Sequence, residues 1–441
     1  MSAAPRWEEA VCLAAGIAPL MSAVDRPLAD CAGAVLARDV HAPMPIPHFD
    51  SSAMDGFAVA GPPPWELEEP SSPAGSTGAA LLPGRARRVL TGSPVPAGAS
   101  GIIRREYAQV NGDDAAATGP GRARLDLAAG VPVSELEPGR HIRRAGRESA
   151  AGEVLVPGGT VLSPAHLAYA AVAGLDVLPV RRRPRVALIQ TGDEVRTAGR
   201  PDVGEVRDAF GPQLPAYLHL LGAELVSQVR IGDDAVETRR ALEAVLVGRV
   251  AGSGDGIDDD AAEGGETAPG VDLVLTTAGT GHSAADHVRR EVEAMATGVV
   301  FGELDMRPGH PTMCTRLPGA ATWHVGLPGN PLAAMVAMRV VVEPFLRAAL
   351  GLPPAPVTRV RLAAGAPAAK VERLTPARRV TDGTGSGNAH AGGEEWELCD
   401  RTGSNMLRGL SQADGLVILP TREVAPGEEV DCLTLPWTAH G

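Results

Sequence analysis

From residue 185 onward, short apolar runs alternate with segments whose apolar positions recur at helical spacing. Arg185 to Gln190, Leu225 to Ile231 and Val271 to Thr277 read as buried strands. Gln213 to Leu221, stopped by Gly222, and Val236 to Val247 read as helices. The order β-α-β-α-β predicts an open, mostly parallel sheet with right-handed crossovers. Ligands of such sheets sit beyond the carboxyl ends of the strands. A further apolar run, Thr322 to Val325, leads through Gly326-Leu327-Pro328-Gly329-Asn330-Pro331 into the Ala-rich apolar segment Leu332 to Leu350. That pattern predicts a strand, a rigid turn and a helix.

The pattern elsewhere is different. Trp7 to Ala18 reads as a helix, and a second is expected near Ala29 to Arg38. Residues 49–148 read as short strands broken by polar or Gly-rich loops, the longest at 61–87 and 109–124. Pro164 to Ala173 has helical spacing and stops at Gly174, and Arg181-Arg182-Arg183-Pro184 reads as a solvated linker. The Gly/Asp-rich stretch 251–270 reads as a disordered insertion, with Asp258-Asp259-Asp260 as part of a solvated loop. Residues 356–441 read as an all-β unit.

The turn at 326–331 carries the first chemical signal. Its prolines fix φ, and its glycines let backbone approach a ligand. Asn330 is an N-cap candidate and Pro331 suits the first helical position, so free N–H groups there are expected to form an anion site. Other polar groups follow the strands: Thr191-Gly192-Asp193-Glu194, Asp208, Asp286, and the basic loop Arg307-Pro308-Gly309-His310-Pro311. Carboxylates at strand ends suit Mg²⁺, and a basic loop suits an anion. Helix capping is the structural role open to any single Asp of this set. Their convergence on one sheet edge is what points to a site.

Composition narrows the class. The chain has 441 residues, 44% hydrophobic and 21% charged, which suits a multidomain globular protein. A net charge of −13 argues against nucleic acid or an anionic membrane as the main partner. The five cysteines form no C-x-x-C pair, so neither a disulfide framework nor a zinc knuckle is expected. No signal peptide and no uncharged membrane-length run is read, so the expected location is cytoplasmic. Lys370 is the one lysine, so arginine in place of lysine is a habit of this chain.

Several motifs together resemble the molybdopterin molybdenumtransferase family, of the MoeA and gephyrin E-domain type. Phe49 to Ala58 (FDSSAMDGFA) resembles the family's FDNSAMDGYA box, and Thr91 to Pro96 its TGAPLP turn. Ile142-Arg143-Arg144 with Gly146 resembles its arginine-rich segment. Thr191 to Glu194 matches TGDE and Gly326 to Pro331 matches GLPGNP. Gly403-Ser404-Asn405 and Ala413-Asp414-Gly415 resemble its C-terminal box. The ordered set runs nearly end to end.

The resemblance implies an α/β plus β multidomain fold. Its parts would be an N-terminal helical and linker domain (1–48 with 149–183), a β-rich inserted domain (49–148), a central open, mostly parallel α/β molybdopterin-binding domain (184–350) and a small C-terminal β-barrel (351–441). It implies insertion of molybdate into adenylylated molybdopterin with release of AMP, assisted by Mg²⁺, in a homodimer whose sites cross the subunit boundary. A molybdopterin adenylyltransferase would be an upstream partner. Asp50, Asp55, Glu194, Asp208 and Asp286 would be catalytic, with Glu194 and Asp286 nearest the metal. Ser52, Thr91, Arg143, Thr191, Gly279, Arg307, Gly309, His310, Pro328, Gly329, Asn330, Pro331 and Ser404 would bind substrate.

The chain departs from the pattern in its ligand loops. GGVSxGxxD reads Ala278 to Asp286 (AGTGHSAAD), KPGKP reads Arg307 to Pro311 (RPGHP), and the Ser expected after GLPGNP is Ala333. GED becomes Gly146-Arg147-Glu148, and the Tyr-Asp-Ser-Asn segment becomes Arg207-Asp208-Ala209-Phe210. Two further readings stay open: a degenerate paralogue that binds molybdopterin or a partner protein without turnover, and an unrelated nucleotide transferase on a similar α/β domain.

Overall fold

The computed structural model describes residues 4–68, 79–111, 123–248, 270–281, 287–319, 322–380 and 395–438. The chain forms two compact units, one of residues 1–24 with 181–441 and one of residues 25–180.

The first unit is built on a six-stranded sheet. Its spatial order is Glu224–Arg230, Arg185–Gln190, Leu273–Thr277, Trp323–Leu327, Met313–Arg316, Gly298–Phe301. The first four run parallel, Met313–Arg316 runs antiparallel to them and Gly298–Phe301 antiparallel to it in turn, so the expected mostly parallel sheet is present. The inner strands are apolar over Val186 to Ile189 and Leu273 to Leu275 because both of their faces are covered. Val186 and Leu188 point into one core, with Leu214, Leu218, Val336 and Phe345. Ala187 and Ile189 point into the other, with Leu242, Val245, Val288 and Val292. Alternation along a strand produces this division.

The helices fall where the pattern put them, within a few residues. Phe210–Leu220 and Ala235–Leu246 are the crossover helices. Asp234 caps the second through the amides of Val236 and Glu237. The Ala-rich segment is helical over Pro331–Ala337 and Glu343–Ala349, with one wider turn, Met338–Val342, between them. The helix Trp7–Ile17 buries Trp7, Ala10 and Ala14 in the first core. A closed barrel of five strands follows, running from Val357–Leu362 to Glu429–Thr434 around Leu362, Ala377, Trp396, Val417 and Cys432.

The second unit contains an antiparallel-rich sheet in the order Gly101–Arg104, Gly56–Val59, Arg85–Val89, Trp65–Glu68, Arg124–Leu127, Ala108–Asn111. Beside it, Ile142–Arg143 pairs with Ser51–Ser52. The helix Pro164–Val172 starts at Ser163, whose hydroxyl accepts from the His166 amide.

Several expectations need correction. The helix near Ala29 to Arg38 is a single tight turn, Leu28–Asp30, followed by bridges at Val35 and Leu36. Gly33 at φ +73 ends any helix there, and Ala34, Val35 and Leu36 are buried in succession, which one helical face does not allow. The loop 61–87 contains the strand Trp65–Glu68 and the start of Arg85–Val89, and the loop 109–124 contains most of Ala108–Asn111. The helix His287–Met295 was not expected. The Gly/Asp-rich insertion with Asp258, Asp259 and Asp260 lies outside the described residues.

Candidate functional site

The four parallel strands end at one edge of the sheet, and the antiparallel strand Met313–Arg316 begins there. The loops 191–194, 231–234, 278–281, 307–312 and 328–330 therefore meet on that edge. Hydrogen bonds join them. Thr191 is buried and its hydroxyl donates to the Thr277 carbonyl at 2.9 Å. The Ala278 amide donates to the Leu327 carbonyl at 3.0 Å.

The loop after the first strand turns at Gly192, whose φ is +124. A Cβ there would meet Val195 Cγ2 at 2.8 Å and Glu194 Oε2 at 3.0 Å, so glycine lets the Glu194 carboxylate lie over the turn. Asp193 and Glu194 are exposed at this edge. The amides of Asp193 and Asp233 each donate to the other's carboxylate at 3.3 Å, which ties the ends of two strands together. Asp208 is differently placed. One oxygen accepts from Arg230 Nη2 at 2.6 Å and the other from the Gly211 amide at 2.9 Å, at the start of the helix Phe210–Leu220. Both partners of the Asp208–Arg230 pair are mostly buried. The geometry gives Asp208 a helix-starting, charge-pairing role.

The loop after Leu273–Thr277 begins with two left-handed residues, Ala278 at φ +63 and Gly279 at φ +60. A Cβ on Gly279 would sit 2.8 Å from Val288 Cγ2. The buried Arg289 holds this loop from behind: its amide donates to the Gly279 carbonyl, Nε to the Thr280 carbonyl at 2.9 Å, and Nη2 to the Gly302 carbonyl at 2.8 Å. Asp286 lies outside the described residues, as do 282–285.

The basic loop is anchored through backbone. Arg307 is exposed, its amide donates to the Glu372 carbonyl, and its carbonyl accepts from the Leu374 amide. Gly309 is buried at φ +111, where a Cβ would meet Met306 Cε at 2.7 Å. His310 Nδ1 lies 2.6 Å from the Leu304 carbonyl and so donates to it, while Nε2 lies 3.7 Å from Glu303. His310, expected to bind substrate, thus has one nitrogen held by backbone and the other toward a carboxylate.

The 326–331 turn also differs from its expectation. Gly326 is needed for packing, since a Cβ would meet Met313 Cγ at 2.7 Å and Thr280 Cγ2 at 2.8 Å. Pro328 is buried, whereas Gly329 and Asn330 are exposed. Asn330 caps through its carbonyl, which accepts from the Ala334 amide, and not through its side chain. The amides of Leu332 and Ala333 both donate to the Ser404 carbonyl, at 3.0 and 3.3 Å, and Pro331 has none. The first turn therefore has no free N–H for an anion; Ser404 fills it.

In the second unit, Asp50 accepts from Arg144 Nη1 at 2.6 Å and from the Ala145 amide at 2.8 Å. The Ala145 amide, opposed by desolvation and helped by Arg144, lowers its pKa below the usual carboxylate value. Asp55 accepts from the Thr91 amide at 2.7 Å and its hydroxyl at 2.8 Å, which lowers its pKa as well. Both are anionic near neutrality. Ser52 is fully buried and its hydroxyl donates to the Met54 carbonyl at 2.6 Å, so its side chain shapes the box and does not face a ligand. Arg143 is exposed beside this ribbon.

Sequence reasoning missed Arg289, Asp233 and the carbonyl role of Ser404. Arg289 carried a signal, since it sits between Val288 and Val292 on the apolar face of an amphipathic helix. Among the described residues no three His, Cys, Asp or Glu side chains are spaced to hold a metal. No helix among them is long and apolar enough to cross a membrane.

Three family models match in order: the MoeA N-terminal region (domain I and II) over residues 6–174, the probable molybdopterin binding domain over 187–348, and the MoeA C-terminal region (domain IV) over 359–435. Molybdopterin molybdenumtransferase 2 of Mycobacterium tuberculosis is 33% identical over 344 residues, covering 74% of this chain and 75% of its own. Molybdopterin molybdenumtransferase of Synechococcus elongatus is 30% identical over 356 residues, covering 76% and 78%. The crystal structure of the molybdopterin biosynthesis MoeA protein from Pyrococcus horikoshii superposes with a TM-score of 0.70 at 21% identity, covering 98% of this chain and 99% of that one. That likeness concerns the fold.

Proposed function

The chain belongs to the molybdopterin molybdenumtransferase family and so to molybdenum cofactor biosynthesis, and from that premise we propose that it inserts molybdate into adenylylated molybdopterin and releases AMP. The observation that carries this reading is the meeting of the TGDE, 278–281, 307–312 and 326–331 loops on one sheet edge. Glu194 is the described carboxylate best placed to act there. It is exposed, lies over the Gly192 turn, and offers the oxygen ligands Mg²⁺ prefers. With Asp286 it would hold Mg²⁺, which when bound offsets charge on phosphate oxygens. Arg307, exposed on a loop fixed by Gly309, is the standing cation for phosphate or molybdate. Thr191, Gly279 and Pro328 set the backbone of these loops, and Gly329, Asn330 and Pro331 form the exposed turn.

The same reading makes the protein a cytoplasmic homodimer in which Asp50, Asp55, Thr91 and Arg143 of one subunit complete the site of the other, supplied by a molybdopterin adenylyltransferase. The lowered pKa values of Asp50 and Asp55 support a fixed negative edge for that role.

The occupied helix terminus at Leu332 and Ala333 and the tethered His310 favour the second reading, binding without turnover. One assay separates the two. AMP release from adenylylated molybdopterin is followed with and without molybdate and Mg²⁺, for the natural chain and for Asp286→Asn. Molybdate-dependent AMP release that falls at least ~100-fold in Asp286→Asn supports the enzyme. Binding of the adenylylated substrate with no release of AMP supports the binding module instead.

A further inference from the structure

Because the Ser404 carbonyl occupies the amides of Leu332 and Ala333, an anion at this edge needs other donors. The loop 278–281 offers one, aimed by a side chain buried behind it. Arg289 keeps only 7% of its surface exposed. Its Nε donates to the Thr280 carbonyl at 2.9 Å and its Nη2 to the Gly302 carbonyl at 2.8 Å. One planar guanidinium thus ties the loop 278–281 to the end of the strand Gly298–Phe301, which leads into the basic loop. The Arg289 amide donates to the Gly279 carbonyl at 3.0 Å. In a trans peptide the C=O and the N–H point in opposite directions. The Thr280 carbonyl faces Arg289, so the Gly281 N–H faces away from it. Gly281 is partly exposed, and its amide has no hydrogen-bond partner among the described residues. The same loop is wedged against the 326–331 turn. A Cβ on Gly326 would meet Thr280 Cγ2 at 2.8 Å, and one on Gly329 would meet Ala278 Cβ at 3.1 Å. Whatever holds Thr280 therefore holds both turns.

We infer that Arg289 is a positioning residue of the proposed reaction: it fixes the backbone of 279–281 so that the Gly281 N–H donates to an oxygen of a tetrahedral oxyanion, phosphate or molybdate. The identity of the anion rests on the molybdate-insertion reading; the placement of the donor does not. Charge adds to geometry here. The carboxylate paired with Arg289 among the described residues is that of Glu293, half exposed and 3.3 Å away. A guanidinium so lightly neutralised polarises the peptide whose carbonyl it binds, and the N–H at the far end of that peptide becomes a stronger donor. A lysine at this position keeps the charge without the fork, so it cannot hold the Thr280 and Gly302 carbonyls in one plane.

The test uses the full chain with inorganic phosphate as the probe, titrated against potassium chloride of equal ionic strength. Isotope labelling of threonine carbonyls and glycine amides isolates the Thr–Gly amides by NMR, and Gly281 is identified by the signal lost in Gly281→Ala. The Gly281 amide should move saturably with phosphate, and the Arg289 Nε–H should move with it at the same concentrations. Arg289→Lys, measured well below its melting temperature, should weaken phosphate at least ~10-fold, the effect of misplacing one charge-assisted hydrogen bond. A Gly281 signal that phosphate leaves unmoved overturns the proposal. So does a folded Arg289→Lys whose phosphate affinity stays within ~3-fold of the natural chain, which would leave Arg289 a structural role alone. If Arg289→Lys does not fold, the natural chain decides: an Arg289 Nε–H that stays still while Gly281 responds overturns the coupling. AMP release measured alongside keeps the two readings apart. A phosphate response without AMP release sinks the enzyme and leaves the positioning role, and AMP release with a silent Gly281 does the reverse.

Discussion

Asp208 offers the sharpest test of how the site works, because sequence and geometry assign it different roles. The family pattern makes it catalytic. The structure pairs it with Arg230 at 2.6 Å and with the Gly211 amide at 2.9 Å, both partners of the ion pair mostly buried. Asp208→Asn keeps an oxygen for Gly211 and removes the charge facing Arg230. A hydrogen bond to a charged group contributes about 1.5–3 kcal/mol, and stranding a largely buried guanidinium adds to the loss. The expected cost is about 2–3 kcal/mol. For a unit of this size that corresponds to roughly 4–6 °C in the melting temperature. Asp208→Asn combined with Arg230→Met should recover part of it, because the stranded charge is gone. AMP release per folded molecule should change by no more than ~3-fold, since both carboxylate oxygens are already engaged by Arg230 and Gly211. Thermal unfolding and AMP release are measured on the same preparations. A fall of ~100-fold in AMP release with an unchanged melting temperature would refute the assignment and put Asp208 on the substrate.

Three other outcomes follow from the same geometry. Ala278 sits at φ +63, a region that costs an L-residue about 1–2 kcal/mol and glycine nothing, so Ala278→Gly should stabilise the protein by about 0.5–1 kcal/mol after the extra chain entropy of glycine; no change in urea midpoint would speak against strain at this position. His324 is fully buried between the hydroxyls of Thr276 and Thr315, and burial pushes its pKa down to about 3, so the folded state resists a proton that the unfolded state takes near pH 6.5; stability should decline as pH falls from 6.5 toward 3, by up to ~1.4 kcal/mol per pH unit, and His324→Met should flatten that decline although its stability at neutral pH is lower. Light scattering at micromolar concentration should give twice the 45.3 kDa chain mass, and a monomeric mass would remove the shared-site proposal.

How far the sequence could be read depends on how many neighbours each segment needs. The central sheet was legible because strands buried on both faces carry continuous apolar runs, as Val186 to Ile189 does, and the glycine after Leu221 marks a helix end without help from tertiary structure. The segment 29–38 was misread because its apolar positions serve bridges to Val161 and Val180, partners that no local period reveals. The strand Trp65–Glu68 was hidden for the same reason, since it pairs with Arg85–Val89 across polar sequence. In the site, loop glycines were legible as close approaches, and Gly309 and Gly326 are such positions. The destination of each hydrogen bond was not. Thr191 and Ser52 look like ligand hydroxyls in the sequence, yet their donors go to the Thr277 and Met54 carbonyls.

The departures from the family motifs can now be weighed one by one, and they do not all point the same way. Ala278 adopts a left-handed backbone where the family motif has glycine, at some cost in strain. Arg307 keeps a permanent charge where the family has lysine, and its backbone is clamped on both sides by Glu372 and Leu374. Neither change alters what the edge offers an anion. His310 does alter it. A lysine would present a mobile ammonium, whereas this imidazole gives one nitrogen to Leu304 and turns the other toward Glu303. Ser404 belongs to the box the chain shares with the family, and its carbonyl covers the amides of Leu332 and Ala333. Under the proposed function, the oxygen ligands at Glu194 are retained while His310 offers an anion less than a lysine would. An enzyme altered in this way should lose affinity for molybdate before it loses affinity for the metal. Molybdate affinity and Mg²⁺ affinity, measured separately on the same protein, thus carry different information, and a tight molybdate site would refute the reasoning from His310.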